Sequence, residues 1–534
     1  MRPPLHQAPA VLAVLATVWA IAPTTVAAAA PAPRRAQLAA ECDELLRAAA
    51  KTPYGWGWPA GAVAAAPDPS ARAARAARAR AAAPVALDTR TTASAGLALH
   101  LAGKRLGQAK YSAAAVQAAR VLAAVQSSTG QIPAAGVIRA GAGGNDAPAA
   151  VPSRAATCAG LALFLTLLHD ADAAPPDADA AHGRGLKPAA VKAANWLATQ
   201  QTRRGGWPVE FVPTPAGAPG AAARTARPLR LIRLDRPDAR DATFCLWMSA
   251  AVLHDATLRR RAEAAVEELS VLRIAEEKSP ARNLWAAAYD LDETPVKTIA
   301  DLPYGVDTAA TDYAMQALLA ASLLGDGDAA GPVLEEAAAA LNGLPKRDGK
   351  WLRYYAPFPA APEKSPGDAE GQDPVDPTGD AAERPVDATE PSRGSAERER
   401  PGADAPPEST VFDRGPDADA GAEPTAPPAL PQTVAAASRL AELGPEKYAA
   451  ELAAAVPIQH RLAMAICGLD EDALTSEPPT DAPGVRQYLE RYQGDFRPLE
   501  SPPPDDIGTR VRRLGLLLRR VQLEPGDGPA GVKP

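Results

Sequence analysis

The chain has 534 residues, 56 of them Pro and 40 Gly, with 47% hydrophobic but only 4% aromatic content. That length exceeds what one small core organises, which leaves several domains or one large repetitive unit joined by linkers. A net charge of −7 excludes the clustered basic surplus of a nucleic-acid binder. The charge is uneven, since residues 361–424 carry 17 Asp and Glu against 6 Lys and Arg, and the remainder is mildly basic.

In chain order, a short positive start at Met1-Arg2 precedes an apolar run from Ala10 to Ala22 and small residues through Ala30. This pattern predicts a secretory signal over 1–30 and export to the periplasm or the extracellular space. No later stretch approaches about 18 uninterrupted apolar residues, so no transmembrane span is expected in the mature protein. From 31 to 356, Ala- and Leu-rich segments with helical spacing predict helices over 88–103, 111–125, 155–168, 188–199, 242–254, 259–272, 308–324 and 332–341. Residues 357–431 hold Pro, Asp, Glu and Gly with too little apolar surface to offset chain entropy, and read as a disordered linker with Thr410-Val411-Phe412 as a candidate docked strand. The segment 432–500 adds helices over 434–443 and 447–467, the second broken at Pro457, and 501–534 reads as a mostly disordered tail with a short helix over 507–521. The fold class is all-α.

Cys42, Cys158, Cys245 and Cys467 lack zinc-site spacing, and two readings stay open: disulfides in an exported protein, or buried apolar thiols.

A Gly-containing turn with Trp or Ile recurs after the helix pairs, at Gly57-Trp58-Pro59, Gly130-Gln131-Ile132-Pro133, Gly206-Trp207-Pro208, Asn283-Leu284-Trp285 and Gly349-Lys350-Trp351. The steps between them are 74, 75, 78 and 66 residues, longer than open helical arrays use. Two helices per unit with long turns on one side predict stacked hairpins forming an incomplete α/α toroid whose loop-bearing face carries the function. Gln201 to Trp207 spell Q-x-x-x-G-x-W, and Gln126 to Ile132 are a degenerate copy. The turn reads as a staple between hairpins, and Trp58 and Trp207 are also candidate sugar-stacking walls. Arg224, Arg227, Arg230, Arg233 and Arg236 recur at every third position, a row of guanidinium forks suited to the carboxylates of a polyuronate, or equally a solvated face.

These ordered motifs resemble the pectic acid lyases, pectate lyases built on an α/α toroid (polysaccharide lyase family ten), over about Thr52 to Asp307. The resemblance is carried by Tyr54-Gly55-Trp56-Gly57-Trp58-Pro59, by Leu87-Asp88-Thr89-Arg90-Thr91-Thr92, by Gln126 to Pro133, by the stretch Leu229 to Ala242, and by Leu284-Trp285-Ala286-Ala287-Ala288-Tyr289-Asp290-Leu291. It implies β-elimination on polygalacturonate. Calcium between protein and substrate carboxylate acidifies the C5 proton, an arginine removes it, and the C4 oxygen departs. By this resemblance Arg230 is the base, flanked by Arg227 and Arg233 as uronate clamps that disfavour its protonated form. Asp88 is then the calcium or substrate-orienting ligand. Where family members carry N-D, H-D and an arginine, this chain has Cys158-Ala159, Phe211-Val212 and Ala287. The expectation is therefore an exported polysaccharide lyase-like protein acting on or binding acidic polysaccharide. The alternative is a catalytically inactive carbohydrate-binding or scaffold toroid. A terpenoid cyclase-like reading rests on Asp290-Leu291-Asp292-Glu293, which is similar to that family's acidic motif, but the chain is poor in the aromatic faces that carbocations need.

Overall fold

The structure is a computed structural model that describes residues 34–59, 85–138, 153–173, 185–211, 229–296, 306–325, 329–355, 426–427, 429–470, 474 and 507–523. The expected signal segment, nearly all of the linker with its candidate strand at 410–412, and Arg224 and Arg227 lie outside these residues. Thirteen helices dominate the described residues, so the fold is all-α as the periodicity predicts. They are α1 (Arg34–Ala48), α2 (Thr89–Leu106), α3 (Ala109–Val125), α4 (Arg154–Ala173), α5 (Lys187–Thr199), α6 (Pro237–Leu253), α7 (Ala256–Val271), α8 (Thr308–Leu324), α9 (Ala330–Gly343), α10 (Leu430–Leu443), α11 (Pro445–Ala455), α12 (Ile458–Ile466) and α13 (Ile507–Leu523).

Burial alternates along this series. Helix α2 is buried from Thr92 to Gly103 and α8 from Thr308 to Ser322 apart from Tyr313, and a helix apolar all round belongs inside. The following helices bury one stripe only, as α3 does with Tyr111, Ala114, Ala115, Ala118 and Leu122. Buried helices stack in sequence, α2 on α4, α4 on α6 and α6 on α8, while each of α3, α5, α7 and α9 packs on the buried helix before it.

The helices after the acidic segment return to this same core rather than forming a separate unit. Helix α10 packs on α8 and α9, α13 on α1 and α2, and α12 on α4 and α6. Ser94 Oγ of α2 donates to the Cys467 carbonyl just past α12 at 2.8 Å. Ile458, Leu462, Met464 and Ile466 of α12 are buried, and each such side chain stabilises by about 1.5–3 kcal/mol. All four thiols are buried and free, which matches the apolar reading rather than pairing; the Cys245 thiol donates to the Cys158 carbonyl at 3.4 Å.

The strands are short ribbons that the helical periodicity does not reveal. They are β1 (Ala50–Thr52) with β2 (Gly55–Gly57), β3 (Val85–Asp88) with β4 (Ala135–Ile138), β5 (Pro208–Phe211) with β6 (Leu229–Arg233) and β7 (Ala288–Tyr289), β8 (Val306–Asp307) with β11 (Tyr354–Tyr355), and β9 (Lys346–Arg347) with β10 (Lys350–Trp351). Strands β3 and β8 run straight into α2 and α8, and β6 ends just before α6, so their ribbons gather at the N-terminal ends of the buried helices.

The two Q-x-x-x-G turns make the same bonds. Gln126 Nε2 donates to the Gly130 and Ala189 carbonyls, and Gln201 Nε2 to those of Gly205 and Arg261, so each amide ties its turn to the next peripheral helix. At Gly205 the backbone has φ 123°, and a Cβ would stand 2.0 Å from the Ala264 carbonyl oxygen. Gly349 also has positive φ, 74°, but a Cβ there meets nothing within 4 Å. Gly205→Ala should therefore lower the thermal midpoint far more than Gly349→Ala, whose cost is the ordinary left-handed penalty of about 1–2 kcal/mol. Calorimetry of the two variants checks this, and equal effects would contradict the clash.

Candidate functional site at the N-terminal ends of the buried helices

Two of the buried helices, α2 and α8, begin with the same polar joint. Asp88 and Asp307 stand at the N-caps of α2 and α8, and each carboxylate accepts a backbone N–H, from Thr91 at 2.9 Å and from Ala309 at 2.7 Å. The next residue, Thr89 or Thr308, donates its hydroxyl to carbonyls of the neighbouring ribbon, at Pro133 and Ala134 or at Leu352 and Arg353. Four residues after the cap, Thr92 and Thr311 donate back to the cap carbonyl and accept the backbone N–H of Trp58 and Trp285. Thr157 of α4 does the same with Ser153 and Ile132. The sequence prints this as D-T-x-x-T at Asp88 to Thr92 and at Asp307 to Thr311, a repeat that the Trp spacing overshadows.

The turn tryptophans complete the joint from inside. The indole N–H groups of Trp58, Trp285 and Trp351 donate to the Leu45, Leu269 and Leu341 carbonyls, near the C-terminal ends of α1, α7 and α9. They satisfy helix-end carbonyls that would otherwise be orphaned. Trp58 is 0% exposed and Trp207 3%, with its indole N–H on Thr243 Oγ1 at 3.3 Å and the Arg154 guanidinium over its ring. Neither ring offers a face to a sugar, because the core covers both; the stacking-wall expectation gives way to the staple reading.

Asp88 and Arg230 stand on different ribbons, and no described interaction joins them. Asp88 caps α2. Arg230 lies exposed on β6, opposite Glu210 in register. Arg233 does not reach outward, because its Nε and Nη2 fork onto Asp235 and both groups are largely buried. Arg236, just before α6, is exposed. The joint exposes Arg90 as well, beside Asp88 at the start of α2. Among the described residues no three His, Cys, Asp or Glu side chains assemble to hold a metal ion, whereas calcium takes 6–8 oxygens. The Asp88 carboxylate, committed to its cap, does not supply that cage, and no step below uses a metal.

Two buried acid–arginine pairs lie beneath this rim. Arg240 donates to Asp241 through Nε and Nη2, and through Nη1 to Gln316 Oε1 at 2.9 Å, with its guanidinium 4.9 Å from the Tyr313 ring centroid. Gln316 donates to Asp312, which also accepts from Thr433, so one network crosses α6, α8 and α10. Burial pushes the Asp241 carboxyl up to about 6, against the pull of Arg240. Asp307 is likewise raised to about 6 by burial, although Arg353 Nε sits 2.7 Å from its Oδ1. The second pair is invisible to spacing, because Arg353 and Asp307 meet only when β11 pairs with β8. The turn at Asp290 to Glu293 is a local device: Asp290 Oδ1 accepts the Asp292 and Thr294 N–H groups, and Glu293 pairs with Arg204.

No family model, no curated protein and no solved structure matches the chain.

Two outcomes follow from this geometry. Thr157→Val keeps the shape but strands the buried N–H of Ile132, and should cost about 1–3 kcal/mol in denaturant unfolding; no loss would contradict the joint. A raised carboxyl contributes stability that is fully present below its unfolded value and lost as pH rises through about 6. Removing the partner cation worsens that loss, so Arg353→Met should destabilise by about 3 kcal/mol or more at neutral pH and by clearly less at pH ~5. Urea melts at the two pH values check the sign.

Proposed function

We propose that the protein is an exported, incomplete α/α toroid that binds an acidic polysaccharide along the rim where its ribbons meet the buried helices, without cleaving it. The stacking of α2, α4, α6 and α8, each with a peripheral partner, supports the toroid part of this reading. Export rests on the apolar run at 10–22. Among the described residues no helix is long and apolar enough to cross a membrane.

The observation that carries the binding reading is the pair of exposed arginines at the start of α6. Arg230 and Arg236 are presented by a strand and a helix start, and both are exposed. A guanidinium fork held by rigid backbone and left open to solvent fits the carboxylate of a uronate with two parallel hydrogen bonds. Arg233, midway between them, is neutralised by Asp235 and leaves these two as the grip.

Turnover asks for more than the rim supplies. A proton-abstracting group needs a water-excluded setting with positioned donors, yet Arg230 stands in solvent and Asp88 is spent on a helix cap. Cys158, Ala159 and Ala287, at positions where the resembled family carries polar or charged residues, are buried in the core. The polar contacts that would hold a substrate in a reactive pose are therefore replaced by apolar packing.

Affinity electrophoresis in polygalacturonate should retard the protein more than electrophoresis in a neutral glycan does, with the effect falling at high salt. Arg230→Ala combined with Arg236→Ala should weaken binding by about tenfold or more, from two charge-assisted contacts. Ultraviolet absorbance should show no unsaturated product with calcium present. Absence of retardation would sink the binding reading; product formation abolished by Arg230→Ala would restore a catalytic one.

A further inference from the structure

At the other end of the buried helices, three elements meet on one carboxylate. Asp170, near the end of α4, accepts His100 Nε2 of α2 on Oδ2 at 2.6 Å and His460 Nε2 of α12 on Oδ1 at 3.0 Å. Lys104 Nζ of α2 reaches the same Oδ1 at 2.9 Å. The His169 ring stands edge-on to His460, with centroids 6.0 Å apart. The side chains of His100, His460 and Asp170 are 8%, 5% and 12% exposed, so the cluster is nearly dry.

We propose that His100, Asp170 and His460 form an acid-sensitive clasp that holds helix α12 against α4, and that protonation of His460 loosens α12 from that helix.

The geometry fixes the direction of the effect. With Nε2 of each ring directed at the carboxylate, a neutral ring donates there and keeps Nδ1 bare. His100 Nδ1 is buried and meets no partner among the described residues, so a second proton on that ring would make a buried cationic donor without an acceptor. Charge gives the same answer, because Asp170 and Lys104 already cancel and every added proton leaves net positive charge in a dry site.

Among the described residues the neighbouring elements show no second carboxylate bonded into the cluster. Helix α2 brings His100, Lys104 and Arg105, and α4 brings His169, Asp170 and the exposed Asp172. On α12 itself, Arg461 is turned to the Leu452 and Val456 carbonyls. Helix α6, packed on the other side, carries Arg240 and Asp241 at its far end and an exposed His254 at its cap. Helix α11 bears Glu446, Lys447 and Glu451, all exposed. Burial alone would raise Asp170, but its donors on His100, His460 and Lys104 hold it well below the ordinary carboxylate range, so it remains the single anion.

Burial lowers the His460 value below the ordinary 6.5, against the pull of Asp170. A depressed folded value means that the clasp contributes its full stability above about 6.5 and loses it as pH falls below that value. The far end of α12 is tied through Ser94 and through the Cys467 thiol, which lies 3.8 Å from the Ala159 carbonyl, so acid should free the His460 end first.

Hydrogen exchange on the full chain at about pH 7.5 and about pH 5, corrected for intrinsic rates, tests the clasp. Exchange across Ile458 to Ile466 should accelerate by about tenfold or more at the lower pH relative to α3. Equal corrected rates at the two pH values in the wild-type protein would overturn the proposal without any variant. His460→Gln should exchange fast in α12 at both pH values, whereas His169→Gln, which keeps the clasp, should retain the wild-type response. A His460→Gln protein whose α12 still responds to pH like wild type would also overturn it. The inference stands apart from the glycan reading, and its test uses no ligand.

Discussion

The rest of the structure depends on the threonine at the second turn of each buried helix. Thr92, Thr157, Thr243, Thr311 and Thr433 each donate to the carbonyl four residues earlier. In three of the five the hydroxyl also accepts a backbone N–H from the preceding turn. One small side chain therefore satisfies two groups that burial would otherwise leave orphaned, at the place where a loop must enter the core. In the turns of Trp58 and Trp285 the indole N–H also closes the preceding peripheral helix. There a helix end, a turn and a helix start are bonded together, and the polar ends of the buried helices are satisfied where the loop enters the core.

That arrangement has a functional corollary. Polar residues that a sequence pattern assigns to chemistry are drawn into the joint: Asp88 caps a helix as Asp307 does, and Trp58 and Trp207 fill the interior. Arg233 is absorbed by Asp235 and Arg353 by Asp307. Exposed on this rim are Arg230 and Arg236 on the approach to α6 and Arg90 at the head of α2. The proposed binding of an anionic polymer rests on such cations held by a rigid frame, whereas proton abstraction requires a dry, preorganised pocket.

Much of the helical frame was legible in the sequence, for definite reasons. The span 308–324 matches α8 residue for residue, since Asp307 supplies a cap and Gly325 a stop. Pro457 separates α11 from α12 as its missing N–H demands. The Q-x-x-x-G turns were readable as staples because glutamine and glycine at that spacing have few other uses. Helix α1 and the short ribbons were not, the former because its apolar stripe is weak and the latter because two- to five-residue strands carry too little alternation. Linear composition also does not reveal that the helices after the acidic segment return to the same core, α12 against α4 and α6 and α13 against α1 and α2. For the site, the D-T-x-x-T repeat was present in the sequence and would have marked Asp88 as a cap. The Asp307–Arg353 and Asp170–His460 meetings bridge long stretches of chain and exist only once it has folded.

The claim at the centre of this account is that the N-terminal rim of the buried helices is the face that meets an acidic glycan. Its most direct test is arginine footprinting, in which the folded protein is modified by a dicarbonyl reagent with and without polygalacturonate and the modified positions are read by mass spectrometry. Protection of Arg230 and Arg236, with the exposed Arg120 and Arg260 of the peripheral helices α3 and α7 modified equally in both samples, is the predicted result. Protection that spares Arg230 and Arg236, or uniform modification throughout, would contradict the account.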